Sequence, residues 1–356
     1  MSMPAASQFE ALLAQLPSEP GAELILRADG ERATATLRPI AGPPRVFVRE
    51  SGLLVELCAA ADEQLPGHRL LAEPQLLATA LASHLGTVAN VRLVAWRPGR
   101  RAVLRIVLGS GRVVWCKLLD RKSWRRAMRA FAAMRVALAP LHLCLPELLL
   151  EDYCAYLAPN APGDSLRALL AEGRLPPVTN IARGLMALAY THGDDELPVL
   201  DFSAVRKATT AMLQKGAAQH GDLHELAAKV ATLPDIEGNR ATAFVHGDLH
   251  DKQIFVDDDR ISLIDLEGVS IGDARFDLAN LAEHIRLRDL QQTGRDQGFA
   301  DVLLARCGMT PDAHATRAFR CMVRARLCGV YALRPRWTTL VTQLRSESLT
   351  LLDELL

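Results

Sequence analysis

The sequence predicts an α+β protein, and three observations carry that prediction. Residues 91–119 form β-rich runs broken at Pro98-Gly99 and at Gly109-Ser110-Gly111, the pattern of an antiparallel meander. The second half reads mainly as helix. It is interrupted by a single β-rich passage, AFVHGDLHDKQIFVDDDRISLIDLEG, residues 243–268.

Taken in order, a short helix is expected from about Gln8 to Leu16, then two hairpins turning at Asp29-Gly30 and Ser51-Gly52. Apolar residues at helical spacing from Leu70 to Leu85 predict a helix that Gly86 ends in a left-handed conformation. These first 88 residues read as an N-terminal extension of sheet and helix. The meander follows, then a helix from about Ser123 to Leu138 and two extended runs, LHLCLPELLLED and CAYLAP. The Pro-Gly stretch from Ala158 to Gly163 is the expected hinge. The expected units are therefore residues 1–88, 89–158 and 159–356.

Composition narrows the function classes. The 41 basic and 41 acidic residues cancel, and no long block of one sign occurs, so nucleic acid is not an expected partner. The seven cysteines are scattered without a C-x-x-C pair, as expected of reduced, mostly buried thiols in a cytoplasm. The start MSMPAASQFE has no basic stretch followed by an apolar one, and no run reaches the length of a membrane span. Neither secretion nor membrane insertion is expected.

Within the β-rich passage, the run Ala243 to Val245 delivers His246-Gly247-Asp248, and the run Ile261 to Ile264 ends on Asp265. The two acids lie seventeen residues apart across an expected hairpin. Such a pair suits a reaction in which one carboxylate serves a hydroxyl and the other holds a metal ion.

His246-Gly247-Asp248-Leu249-His250, Gln253, Ile264-Asp265-Leu266-Glu267, Gly272-Asp273 and Asp277-Leu278-Ala279 together resemble the aminoglycoside phosphotransferase and choline kinase-like family. The resemblance runs from about residue 90 to the C-terminus. It implies a protein kinase-like two-lobed fold, with a small antiparallel-sheet lobe and a mainly helical one. It further implies ATP and Mg2+ as cofactors and a small-molecule hydroxyl acceptor. Asp248 is then the catalytic residue that orients or deprotonates the acceptor hydroxyl. Gln253, Asp265 and Glu267 are implied metal ligands, and Lys117, Arg100, Arg101 and His250 are implied nucleotide contacts. His246 and Asp277 are expected to support the loop.

Three departures from the family pattern stand out, the first being Gln253, one methylene longer than the asparagine that kinases place on magnesium there. No glutamate occurs between Lys117 and Glu147, so the usual helix partner of the lysine is missing, and Asp120 or a distant residue has to replace it. The turn Arg97-Pro98-Gly99-Arg100-Arg101 has one glycine and three arginines where a phosphate loop has several glycines; arginine forks can bind phosphate instead. A second copy of the same five letters, His220-Gly221-Asp222-Leu223-His224, lacks the strand before it and the Ile-Asp-x-Glu after it, and is not expected to be catalytic. His284, Arg286 and Arg288 are expected on a helix face rather than against substrate. Two other functions stay open: a nucleotide-binding regulatory module that has lost catalysis, and a hydrolytic metal site made from His246, Asp248 and His250.

Overall fold

The computed structural model describes residues 5–29, 32–50, 53–135, 141–174, 176–191, 196–236, 243–310 and 313–356. Its first elements are α1 (Ala5–Leu13), β1 (Glu23–Asp29), β2 (Arg32–Arg38), β3 (Arg45–Glu50), β4 (Leu53–Leu57), α2 (Arg69–Ala72) and α3 (Pro74–Ala82). Next come β5 (Val88–Arg97), β6 (Arg101–Leu108), β7 (Val113–Leu119), α4 (Arg121–Ala133), β8 (Leu141–Leu143), β9 (Leu148–Leu150), β10 (Ala155–Pro159), β11 (Asp164–Ser165) and α5 (Leu166–Ala171). The remainder is α6 (Val178–Ala189), β12 (Val199–Leu200), α7 (Phe202–Ala217), α8 (Leu223–Thr232), β13 (Ala243–Val245), β14 (Ile254–Asp257), β15 (Arg260–Leu263), β16 (Ser270–Gly272), α9 (Ala274–Thr293), α10 (Phe299–Arg306), α11 (His314–Ala332) and α12 (Thr338–Leu355). No helix among the described residues is long and apolar enough to cross a membrane.

The chain divides into two compact units, one of Met1–Met128, Leu145–Asn160 and Leu333–Arg336, the other of Arg129–Cys144, Ala161–Ala332 and Trp337–Leu356. In the first, β1 to β4 form an antiparallel meander, so the two expected hairpins join into one sheet. Gly30, Ser51 and Gly52 of their turns lie outside the described residues. A five-stranded antiparallel sheet has the order β5-β6-β7-β10-β9. Alternation decides which face is buried: Ala102, Leu104, Ile106 and Leu108 of β6 point inward, as do Val114, Cys116 and Leu118 of β7. They pack with Leu65, Leu70, Leu77, Leu81 and Trp96. Each such leucine contributes roughly 1.5–3 kcal/mol by leaving water.

The expected helix over Leu70–Leu85 is split. Glu73 adopts φ −126° and ψ 79°, and Pro74 opens α3, because proline clashes with a helical residue before it and has no N–H to donate. Gly86 does take a left-handed φ of +94°, beyond the end of α3. The basic helix after the meander is Arg121–Ala133, with Leu138 outside the described residues. Strand β8 leaves the first sheet and pairs in parallel with β15 in the second unit, while β9 stays with β10.

The second unit is mainly helical, with two small sheets ordered β11-β14-β15-β8 and β12-β16-β13. The division between the units at Asn160/Ala161 falls in the stretch from Ala158 to Gly163. Gly163 itself has φ +77°, and a Cβ there would sit 2.0 Å from the carbonyl oxygen of Val256. Helices α7, α8, α9, α11 and α12 share one core, in which Phe319 packs edge-on against Phe202 and Phe276. Helices α7 and α11 cross at two glycines. A Cβ on Gly216 would lie 2.9 Å from the carbonyl oxygen of Gly329, and one on Gly329 would lie 2.8 Å from that of Met212. Gly329→Val therefore should force the helices apart and lower stability by about 1–3 kcal/mol, read as a fall in Tm. An unchanged melting temperature would show that the crossing tolerates a side chain.

Candidate active site

All three residues of β13 are buried, so the strand is held rigidly up to His246. The His246 Nε2 lies 2.9 Å from the carbonyl oxygen of Ile264; a carbonyl only accepts, so that nitrogen carries the proton. Gly247 takes φ +81°, a conformation glycine adopts without penalty. The turn it makes is bound by Asp277 in the first turn of α9. The backbone N–H of His246 donates to Asp277 Oδ2 at 2.5 Å and that of Gly247 to Oδ1 at 2.9 Å. One turn further along α9, Asn280 is fully buried and donates from Nδ2 to the carbonyl oxygen of Leu249 at 2.6 Å. Helix α9 thus grips the loop at three backbone atoms on either side of Asp248.

The rest of the loop is closed on itself. The N–H of His250 donates to Gln253 Oε1 at 3.0 Å, and that of Gln253 donates to the His250 carbonyl at 2.9 Å. Asp251 is fully buried and accepts from Arg288 Nε at 2.9 Å, while Arg288 Nη1 also donates to the Tyr331 hydroxyl at 3.1 Å. The Ile264 N–H donates to the Gln253 carbonyl at 3.1 Å, so the segment entering Asp265 is tied to the loop. Asp265 holds φ 64° and ψ 40°, a left-handed conformation sparsely used outside glycine, asparagine and aspartate. It leads directly into the short 3-10 turn containing Glu267, and both carboxylates are half-buried.

Asp248 differs from every other acid on this loop in facing water: its side chain is 59% exposed. Its partner is Arg326 of α11, whose Nη2 lies 3.1 Å from Oδ1 and also 2.7 Å from Asn280 Oδ1. The ring of His250 packs against that of His284 with centroids 5.0 Å apart. Burial holds the His250 imidazole below its ordinary value and the His284 imidazole well below it, so both are neutral at pH 7.

The second His-Gly-Asp-Leu-His is a different object. Asp222 precedes α8 without capping it through its side chain, and it pairs with Arg345 at 3.2 Å. Gly221 does not share the positive φ of Gly247. Identical letters fold differently because only one copy follows a buried strand and faces Asp277.

Lys117, Arg100 and Arg101 belong to the other unit. Strand β7 is interior to its sheet, and Lys117 is buried there rather than solvent-facing as on an edge. Arg100 and Arg101 are exposed at the β5–β6 turn. That turn is secured by Asp62, whose Oδ2 accepts from the Trp96 indole at 2.9 Å and from the Gly99 N–H at 2.8 Å. Asp120 is taken up in capping α4, accepting from the N–H groups of Lys122 and Ser123 and from the Ser123 hydroxyl.

Two further expectations change. His284, Arg286 and Arg288 lie on α9, where the two arginines are buried and His284 is half-buried, and Arg286 pairs with Asp296 and Glu347. The hydrolytic metal site gains no support: His246 is turned to Ile264, and no metal-ready set of three His, Cys, Asp or Glu occurs among the described residues. Arg326, Asn280 and Asp62 were not anticipated. Asn280 had a signal, three residues after Asp277 on a helix and so on the same face; Arg326 and Asp62 reach the loop and the turn from far away in sequence.

Burial pushes the Asp277 carboxyl up to about 6 from an ordinary 3.8, against the pull of His246 and the two amides. The ionised form accepts both amides, whereas a protonated one turns a donor toward them. Turnover with saturating substrates should therefore fall as pH drops through about 6, in a pH–rate profile spanning 5 to 8. Stability runs the other way: the folded state binds the extra proton between 3.8 and about 6, so unfolding free energy declines across that window as pH rises. An acid limb only near pH 4 would mean the buried carboxylate stays ionised.

The model of the phosphotransferase enzyme family matches residues 81–319. No curated protein matches the sequence. Among solved structures, a thermostable mutant of aminoglycoside phosphotransferase APH(4)-Ia in its apo form is 15% identical over 78% of this chain and 98% of its own, with a TM-score of 0.51. Choline kinase LicA from Streptococcus pneumoniae is 10% identical over 80% of this chain and 99% of its own, with a TM-score of 0.53. ADP-bound aminoglycoside phosphotransferase APH(2'')-Ib is 11% identical over 80% and 99%, with a TM-score of 0.52. These likenesses establish the kinase-like α+β fold, and the family match covers well over half of the chain: it belongs to the phosphotransferase enzyme family.

Proposed function

We propose that this protein transfers the γ-phosphoryl group of ATP to a hydroxyl of a small molecule. The observation that carries the reading is Asp248, solvent-facing on a loop whose backbone is held by Asp277 and Asn280, with a second acid, Asp265, leaving the hairpin tied to that loop. A solved APH(4)-Ia complex with AMP-PNP and hygromycin B, at a TM-score of 0.51, supports a nucleotide and a small acceptor as the two substrates.

In this reading Asp248 accepts the proton of the acceptor hydroxyl, whose oxygen attacks the γ-phosphorus in line with the departing ADP oxygen. Asp265, Glu267 and Gln253 would hold Mg2+. Their oxygens are the hard donors that ion takes, and Gln253 Oε1 retains a lone pair beside the one given to His250. When bound, magnesium neutralises charge on the phosphate oxygens. Lys117 would neutralise nucleotide phosphate, with Arg100 and Arg101 adding charge at the β5–β6 turn and His250 a neutral imidazole beside the transferred group. Residues 89–158 would bind nucleotide, 159–356 would carry catalysis, and 1–88 would buttress the turn through Asp62.

The reading of a nucleotide-binding module without catalysis draws on one observation: α4 contains no acid, and Asp120 serves as its cap. Steady-state ADP release separates the two. Asp248→Ala should lower kcat by about 10²- to 10⁴-fold with the ATP KM little changed, and Asp265→Ala should abolish turnover at any magnesium concentration. Nucleotide binding without acceptor-stimulated turnover in the unmodified protein would favour the inactive module.

A further inference from the structure

We infer that Arg326 belongs to the acceptor subsite, and that the Asp248–Arg326 pair selects a neutral acceptor with adjacent hydroxyls, a sugar or polyol, over a polycation. The inference rests on the phosphotransferase reading above. Arg326 Nη2 lies 3.1 Å from Asp248 Oδ1 and 2.7 Å from Asn280 Oδ1, and these are its hydrogen-bond partners among the described residues.

That position is set by the surrounding frame. Asn280 is itself bound to the Leu249 carbonyl, so the loop and the guanidinium share one anchor. Helix α11 is seated on α7 through Gly329, three residues beyond Arg326. Two residues before it, Arg324 is bound to the buried Glu283 at 2.8 and 3.0 Å.

Arg326 also differs from its neighbours in what it faces. Arg288 is neutralised by buried Asp251, Arg320 and Arg324 by Glu283, and Arg286 by Asp296 and Glu347. Arg326 is 22% exposed, and its acidic partner is the one exposed carboxylate of the loop. The pair sums to zero charge at the point where the acceptor must dock. An ammonium group approaching Asp248 meets a guanidinium already on the same carboxylate, so a cationic acceptor loses its attraction and gains a like-charge neighbour. A hydroxyl suffers neither effect. It donates to Asp248, and the oxygen of an adjacent hydroxyl accepts from the guanidinium, which only donates. In the transfer, the acceptor O–Pγ bond forms and the bond from Pγ to the bridging oxygen breaks. The electron pair leaves on ADP and the hydroxyl proton passes to Asp248, while Arg326 keeps its hydrogen bond to the neighbouring hydroxyl throughout.

The test uses the full chain with Mg·ATP against myo-inositol, D-glucose, 2-deoxy-D-glucose, choline and kanamycin, following ADP release and phosphoester formation. Myo-inositol or D-glucose should be phosphorylated in preference to choline and kanamycin. Arg326→Gln should raise the KM for the accepted polyol by about 10- to 100-fold with the ATP KM unchanged. The rise should be smaller where the neighbouring hydroxyl is missing, and Arg326→Lys should recover part of the loss. ADP binding and the melting temperature confirm that each variant is folded. Preference for kanamycin or choline, or an unchanged polyol KM in both variants, would overturn this inference and leave phosphotransfer standing. Failure to phosphorylate any acceptor would overturn both.

Discussion

The Asp277 carboxylate, buried at the start of α9, is the interaction on which the candidate site depends. Its two oxygens take the consecutive N–H groups of His246 and Gly247, the point where β13 ends and the chain must turn. Neither amide is left to a strand ladder or to water, so the loop has one conformation available without orphaning a buried donor. Everything that follows is positioned by that turn. Asp248 emerges toward solvent, Leu249 returns to the core with its carbonyl on Asn280, and His250 and Gln253 close the loop. A carboxyl that burial pushes up to about 6 thus holds the turn from which the exposed Asp248 emerges.

Around this frame the arginines of α9 and α11 form internal pairs that leave little free charge. Glu283 is fully buried, which alone would raise its carboxyl, yet Arg324, Arg320 and Arg286 hold it down to about 2. Removing one partner from such a network leaves an uncompensated buried charge, and that is what ties α9 to α11. The same economy explains why a chain with so many arginines presents one guanidinium to Asp248 rather than a basic patch. It also connects the helix packing at Gly216 and Gly329 to the Asp248 loop, because α11 carries both Gly329 and Arg326.

The parts legible in the sequence were those with local causes. The meander of β5, β6 and β7 was marked by its turns, the strand before His246 by its apolar run, and the support role of Asp277 by its place in the motif. The break at Glu73-Pro74 was equally local, and the helical periodicity on both sides of it masked a proline rule that was available. Strand β8 was legible as extended but not as a partner of β15, since pairing across more than a hundred residues leaves no mark in either segment. Arg326 and Asp62 escaped for the same reason. The two identical His-Gly-Asp-Leu-His segments make the limit concrete: the five letters do not specify the turn, and their context does.

In the proposed reaction the bound loop presents Asp248 to an acceptor hydroxyl for phosphoryl transfer. Phosphorus NMR of the protein with Mg·ATP and a polyol acceptor tests it most directly, because it identifies the product rather than the loss of ATP. A phosphomonoester resonance should grow in step with ADP, and it should be absent with Asp248→Ala. ADP accompanied only by inorganic phosphate, or a phosphomonoester formed equally well by Asp248→Ala, would contradict it.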